Sequence, residues 1–132
     1  MTTVLIITDS KSLLKVIKDI LQKELKGIHV TDEPDGLTIE TVGQERVYVV
    51  ANGTSTADDY EIEELNKVKS YFDTPYFYAF HYSSLLLMKK IIIALGSVLN
   101  LLVDNDFGDL LPIKEFVKKM QENPDWDWRG IE

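Results

Sequence analysis

Apolar and polar positions along the chain follow two periods, one typical of strands and one typical of helices. Residues 4 to 7 form a continuous apolar run without alternation, which is typical of a strand covered on both faces. Residues 28 to 31, 37 to 42 and 46 to 51 have strand composition and are separated by turn residues. The pattern therefore predicts a central first strand, followed by a short antiparallel meander.

Two amphipathic helices are predicted in the first part of the chain. Apolar residues recur at helical spacing after Asp9 and Ser10, and again after Asp58 and Asp59. Asp and Ser are favoured N-caps because their side chains accept hydrogen bonds from the free N–H groups of the first turn. We therefore expect Asp9 or Ser10 to cap the first helix, and an Asp to cap the second.

A third helix is predicted to be the central buried one. It begins at Ser83 or Ser84, ends near Gly96, and is apolar on most sides except at Lys89 and Lys90. An aromatic strand over residues 76 to 82 precedes it.

The last part of the chain predicts a strand over residues 98 to 103, an acidic turn, and a second short strand at residues 110 and 111. Pro112 suits the first position of a fourth helix, which Asn123 and Pro124 close. Together the elements predict an α+β fold, with a mixed, largely antiparallel sheet of five to six strands and about four helices packed on it.

Length and composition are those of one globular domain over residues 1 to 132. The longest apolar run, residues 91 to 95, is far shorter than the roughly 20 residues that span a bilayer. The first apolar run lacks a basic region before it and is interrupted at Thr8, so it does not resemble a signal peptide. We expect a cytoplasmic protein without membrane attachment.

The net charge of −8 argues against nucleic-acid binding, which requires clustered Lys and Arg. Acidic residues are concentrated in two segments, residues 52 to 66 and 104 to 132. Such charge serves solubility, or it attracts a basic partner. Both interpretations stay open from the sequence.

No catalytic, cofactor or metal motif is present, and we expect no cofactor, no metal and no enzyme activity. Asp104, Asp106 and Asp109, with Glu115, invite comparison with a calcium loop, but the glycine at position 108 is out of register for one. The same residue types form tight turns between strands. The segment is interpreted as a turn, with weak cation binding as the alternative.

His81 lies in the aromatic strand, and alternation puts it on the opposite face from Tyr82. One hypothesis makes it a structural or interface histidine. A second is a small α/β enzyme or ligand-binding domain with a pocket near His81 that uses Tyr82 and nearby carboxylates. A third is a homodimer whose interface is the aromatic strand.

Trp126 and Trp128 follow the proline that ends the last helix. Either one indole folds back to close the core, or both are exposed aromatic residues of the kind that dominate protein interfaces.

Residues 101 to 130 contain a Val-Asp-Asn-Asp-Phe-Gly turn, a helix with Glu115-Phe116-Val117, and a Pro-Asp-Trp-Asp-Trp-Arg ending. This segment resembles the C-terminal region of small bacterial proteins, some of which are similar to immunity proteins that neutralise polymorphic or contact-dependent toxins. The resemblance implies a protein-binding module that occludes the active site of a toxin domain, and the acidic charge of the chain suits a basic one. The contact residues expected on this hypothesis are Asp104, Asp106, Asp109, Trp126 and Trp128.

Overall fold

The computed structural model of the chain describes residues 2–53 and 55–130. Its strands are β1 Thr2–Thr8, β2 Ile28–Glu33, β3 Gly36–Thr41, β4 Arg46–Gly53, β5 Tyr76–Tyr82, β6 Leu102–Asp104 and β7 Leu110–Pro112. Its helices are α1 Leu13–Glu24, α2 Ile62–Tyr71, α3 Leu85–Gly96 and α4 Ile113–Glu122, with a 3₁₀ turn at Ser55–Asp59.

The described strands form one antiparallel sheet in the order β2-β3-β4-β5-β1-β6-β7. This confirms the predicted α+β class, the 28–51 meander and the interior position of β1. The count is seven strands rather than five or six, because the three-residue β7 pairs with β6 across the acidic turn. The sheet is not mixed, since every one of these pairings is antiparallel.

One face of the sheet carries the main core. Helices α1, α3 and α4 pack on it, with α3 between the other two. Ile91 and Leu95 of α3 are fully buried, which confirms that the third helix is the central buried one. The apolar faces of all three helices and the alternate strand residues beneath them make one continuous core.

The second face is covered differently along its length. At one end α2 and the 3₁₀ turn pack on it, and Val68 contributes to a small cluster with Ile7 and Phe77. Burial on both faces explains why residues 4 to 7 are all apolar. No helix among the described residues is both long enough and apolar enough to cross a membrane.

The other end of the second face is polar. Thr31, Thr38, Tyr48, His81 and Thr3 are cross-strand neighbours, one from each of five adjacent strands. We call these five residues the polar row. Its members are exposed or half-buried, as is usual for an antiparallel sheet with one solvated face.

The aromatic strand β5 cannot form a dimer interface. It is hydrogen-bonded to β4 on one side and to β1 on the other, so it has no free edge. Four of its five Phe and Tyr residues, Phe77, Tyr78, Phe80 and Tyr82, are at most 2% exposed, and Tyr76 is half-buried. The hypothesis of a homodimer through this strand is therefore wrong.

Helix α1 begins later than the sequence predicts. Its N-cap is Ser12, whose side chain makes no capping hydrogen bond. The Tyr78 hydroxyl instead accepts a hydrogen bond from the Leu13 N–H and donates one to the Ser10 carbonyl. A tertiary contact thus satisfies the helix end that Asp9 or Ser10 was expected to cap.

The predicted N-cap is wrong for α2 and right for α3. The cap of α2 is Glu61, without a side-chain hydrogen bond, rather than Asp58 or Asp59. The cap of α3 is Ser84, whose hydroxyl accepts from the Leu87 N–H at 3.2 Å, so that prediction is confirmed.

Candidate functional site

The acidic turn predicted from the sequence is a loop that joins β6 to β7. Asp106 and Gly108 both have positive φ angles, 65° and 99°, which Asn, Asp and Gly adopt more readily than other residues. The interpretation of residues 104 to 109 as a turn between strands is therefore confirmed. Among the described residues there is no group of three or more metal-ligating side chains placed to hold an ion.

Asn105 organises this loop from inside. Its side chain is fully buried, and its amide oxygen accepts hydrogen bonds from the N–H groups of Phe107 and Asp109 at 2.8 and 3.1 Å. Its amide nitrogen donates to the Asp109 carboxylate at 2.8 Å. One buried side chain therefore fixes the loop, and the exposed residues at its tip have a defined position.

Asp104 supports the loop rather than presenting a free carboxylate. It is 9% exposed, accepts a hydrogen bond from the Asp106 N–H at 2.9 Å, and accepts another from the Tyr60 hydroxyl at 2.5 Å. Burial, together with the hydrogen bond and negative charge of Asp104, raises the pKa of Tyr60 above its usual range. Tyr60 thus stays a hydrogen-bond donor to Asp104.

The two acid-rich segments of the sequence meet at this loop. Tyr60 follows the 3₁₀ turn, and its ring packs edge-on against Phe77 at 5.5 Å between centroids, which brings the start of α2 over β6 and β7. The result is a cleft of about 220 Å³, here called the acidic cleft. It is lined by Asp59, Tyr60, Glu64, Asp104, Asp106, Gly108, Asp109 and Leu110.

Asp109 and Trp126 are joined through one lysine. The Lys119 ammonium lies 2.8 Å from an Asp109 carboxylate oxygen and 4.5 Å from the centroid of the Trp126 ring. A cation above an indole face is attracted by the ring quadrupole. The acidic loop, α4 and the tryptophan tail therefore form one continuous surface.

Trp128 lies in the core. It is 5% exposed, its indole N–H donates to the Tyr82 hydroxyl at 2.7 Å, and its ring packs edge-on against Phe116. The interpretation that one indole folds back to close the core is confirmed for Trp128. A side chain this buried offers a partner almost no area, so Trp128, although expected from the sequence as a contact residue, is not part of the contact surface.

The remaining predicted contact residues differ in solvent exposure, and so in the area that a partner can contact. Asp106 is exposed, whereas Asp109 and Trp126 are half-buried. Phe107, at the tip of the loop, is 47% exposed. The sequence did not indicate Phe107, Tyr60 or Lys119 as functional residues, because their roles depend on neighbours distant in the chain.

His81 and Tyr82 cannot line one pocket. The His81 imidazole is part of the polar row, and its Nδ1 is hydrogen-bonded there to the Thr3 hydroxyl at 2.8 Å. Tyr82 points into the core on the other face, towards Trp128. The hypothesis of one pocket that uses both residues is therefore wrong, because alternation along β5 places them on opposite faces of the sheet.

No protein-family model, no curated protein and no solved structure matches this chain. The case for its function therefore rests on the residues and their geometry.

Proposed function

We propose that the chain is a cytoplasmic protein-binding module of immunity type, which neutralises a cognate bacterial toxin by occluding the active site of the toxin. The observation that carries the proposal is the meeting of the two acid-rich segments around the acidic cleft. The exposed carboxylates of Asp59, Glu64 and Asp106, which are far apart in the sequence, there present one region of negative charge. A basic protein surface is its natural complement.

The proposed contact surface combines charge with aromatic area. Asp106 and Phe107 lie at the loop tip, and Asp109 connects through Lys119 to the half-buried Trp126. Interfaces owe most of their binding energy to a few such aromatic and charged residues. Asp104 and Asn105 act indirectly, because they hold the loop in one conformation and so reduce the ordering cost of binding.

A basic toxin domain suits this surface for a kinetic reason as well. Opposite potentials on two proteins raise their association rate, and the rate falls as salt screens the charges. An inhibitor that must reach its toxin before the toxin reaches its target benefits from fast encounter. The proposal therefore predicts binding that weakens markedly between low and moderate salt.

The proposal is tested by capturing partners of the tagged chain from the lysate of its host at two salt concentrations and purifying the main captured protein. Its affinity is then measured for the wild type and for the triple variant Asp59→Asn, Glu64→Gln, Asp106→Asn. The matched control is Asp9→Asn, Asp19→Asn, Glu24→Gln, which changes the net charge equally at exposed positions near α1. We expect at least a tenfold loss, about 1.4 kcal/mol, for the cleft variant alone.

Equal losses for the two triple variants would refute the acidic cleft as the contact surface. A separate growth assay tests the immunity role. The captured protein is expressed in bacteria with and without the chain, and we expect growth arrest that co-expression relieves. A captured protein that does not arrest growth would contradict the immunity role.

A further inference from the structure

A second cleft lies on the open end of the second sheet face, away from the acidic cleft. It has a volume of about 350 Å³ and lies between the β2–β3 turn and β4. The side chains that give it its chemistry are Glu33, Asp35, Thr38, Tyr48 and Val50. We call it the Tyr48 cleft.

The Tyr48 cleft has an apolar floor and an anionic rim. Tyr48 is half-buried and Val50 is 37% exposed, so an aromatic ring and a branched aliphatic side chain are available on the floor. Glu33 and Asp35 are exposed at the rim. This pairing of a flat apolar surface with carboxylates suits a cation that carries apolar area of its own.

The fold positions the Glu33 carboxylate and the backbone of Asp35. The Thr38 hydroxyl donates to a Glu33 carboxylate oxygen at 2.9 Å. The backbone carbonyl of Asp35 accepts from the Ala51 N–H at 2.9 Å, which ties the turn to β4. The Glu33 side chain and the turn backbone therefore do not have to be ordered when a ligand binds, and that lowers the cost of binding.

The same sheet face already accommodates one guanidinium group. Arg46 lies two residues before Tyr48 on this face, and its Nε is 2.6 Å from a Glu40 carboxylate oxygen. An arginine and a carboxylate thus pair across two neighbouring strands of this face. The Tyr48 cleft offers tyrosine and carboxylates without an arginine among its lining residues.

We propose that the Tyr48 cleft binds the side chain of an arginine presented by a basic protein partner. The guanidinium lies between Glu33 and Asp35, and the aliphatic stem lies over Tyr48 and Val50. Arginine fits better than lysine, because its planar group can stack on a ring and bind carboxylates with several N–H donors at once. That the arginine comes from a protein rests on the proposed function, whereas the guanidinium site itself does not.

The two clefts can serve a single interface. Val50, Ala79, Leu5 and Asp104 are successive cross-strand neighbours from β4 to β6, so three strand spacings, roughly 15 Å, separate Val50 from Asp104. Both clefts lie on the second face. A partner of ordinary interface size, about 800 Å² on each side, covers that distance.

The test uses N-acetyl-arginine amide as the probe, followed by ¹H–¹⁵N NMR at low salt, with N-acetyl-citrulline amide as the uncharged control of the same shape. We expect millimolar-order binding of the arginine probe and shifts centred on Gly36, Thr38 and Val50. We expect none with the citrulline probe. The double variant Glu33→Gln, Asp35→Asn should weaken binding at least tenfold, and Asp19→Asn should leave it unchanged.

Equal shifts with the two probes, no shifts up to the solubility limit, or shifts confined to the acidic cleft would overturn the guanidinium site. The spectrum of Tyr48→Ala reports whether that variant is folded, and a folded variant that binds the arginine probe unchanged would also overturn it. The partner assignment is tested separately. Site-specific binding of the arginine probe, with no loss of affinity for the captured protein in the double variant, would refute the partner assignment alone.

Discussion

The indole nitrogen of Trp128 donates a hydrogen bond of 2.7 Å to the Tyr82 hydroxyl, in the interior of the protein. The two rings also pack edge-on, with 6.2 Å between their centroids. This contact joins the end of the described chain to the last residue of β5. The tail is therefore part of the core rather than an appendage.

Replacing Trp128 with Phe should lower the free energy of unfolding by about 1–3 kcal/mol, because the buried Tyr82 hydroxyl loses its donor. Urea denaturation measures the change. Trp126→Phe is the matched control, since Trp126 is only half-buried and packs beside the same rings. Equal destabilisation by the two substitutions would show that the hydrogen bond to Tyr82 makes no separate contribution to stability.

Stability should fall as the pH rises above about 10, the ordinary tyrosine pKa. Burial and the neighbouring Asp104 raise the pKa of Tyr60, so the unfolded chain releases a proton that the folded chain keeps. Tyr60 therefore contributes stability below pH 10 that is lost at higher pH. Tyr60→Phe should make this loss smaller in urea titrations between about pH 9 and 11 without abolishing it, because burial also raises the pKa of Tyr78 and of Tyr82. A loss as steep as that of the wild type would contradict the role of Tyr60.

Gly36→Ala should destabilise the fold by several kcal/mol or prevent folding. A Cβ atom at Gly36 would lie 1.8 Å from the Val49 carbonyl oxygen, and a backbone atom in a paired strand cannot move away cheaply. Gly43→Ala is the control, because its Cβ would meet nothing closer than 3.7 Å. Thermal unfolding of both variants decides the matter, and a stable Gly36→Ala variant would contradict the close approach of β3 and β4.

Lys119→Met should loosen the acidic loop with little effect on global stability. The ion pair with Asp109 is partly exposed, so its contribution to unfolding should be below about 1 kcal/mol. Amide hydrogen exchange at residues 106 to 109 should nevertheless become faster. Lys118→Met, which removes a more exposed pair with Glu122, should leave exchange in the loop unchanged; faster exchange there would point to a general charge effect.

Much of the fold could be predicted from the sequence, because periodicity reports which side chains are buried. Prediction from periodicity fails at residues 98 to 101. Their β-branched and aliphatic character favours a strand, but Val98 and Leu99 donate backbone hydrogen bonds to the Leu95 carbonyl and extend the end of α3. The strand begins only at Leu102, because the hydrogen bonds at the end of the helix outweigh the strand propensity of these residues.

The candidate site was less accessible from the sequence, which locates carboxylates but not their neighbours. Asp104 and Asp106 look alike in the chain, yet one is buried against Tyr60 and the other is exposed. The two tryptophans differ for the same reason. The contacts that separate them join residues about 45 positions apart, a distance over which local patterns carry no information.

The interior position of β1 has a consequence for how the protein is made. β1 is synthesised before the other described strands, but its two neighbours in the sheet are β5 and β6, which end at Tyr82 and Asp104. Its apolar residues therefore have no strand partner until most of the chain has emerged from the ribosome. Contacts so distant in sequence slow folding, and the newly made chain has a long interval in which a chaperone, or another exposed strand, can bind first.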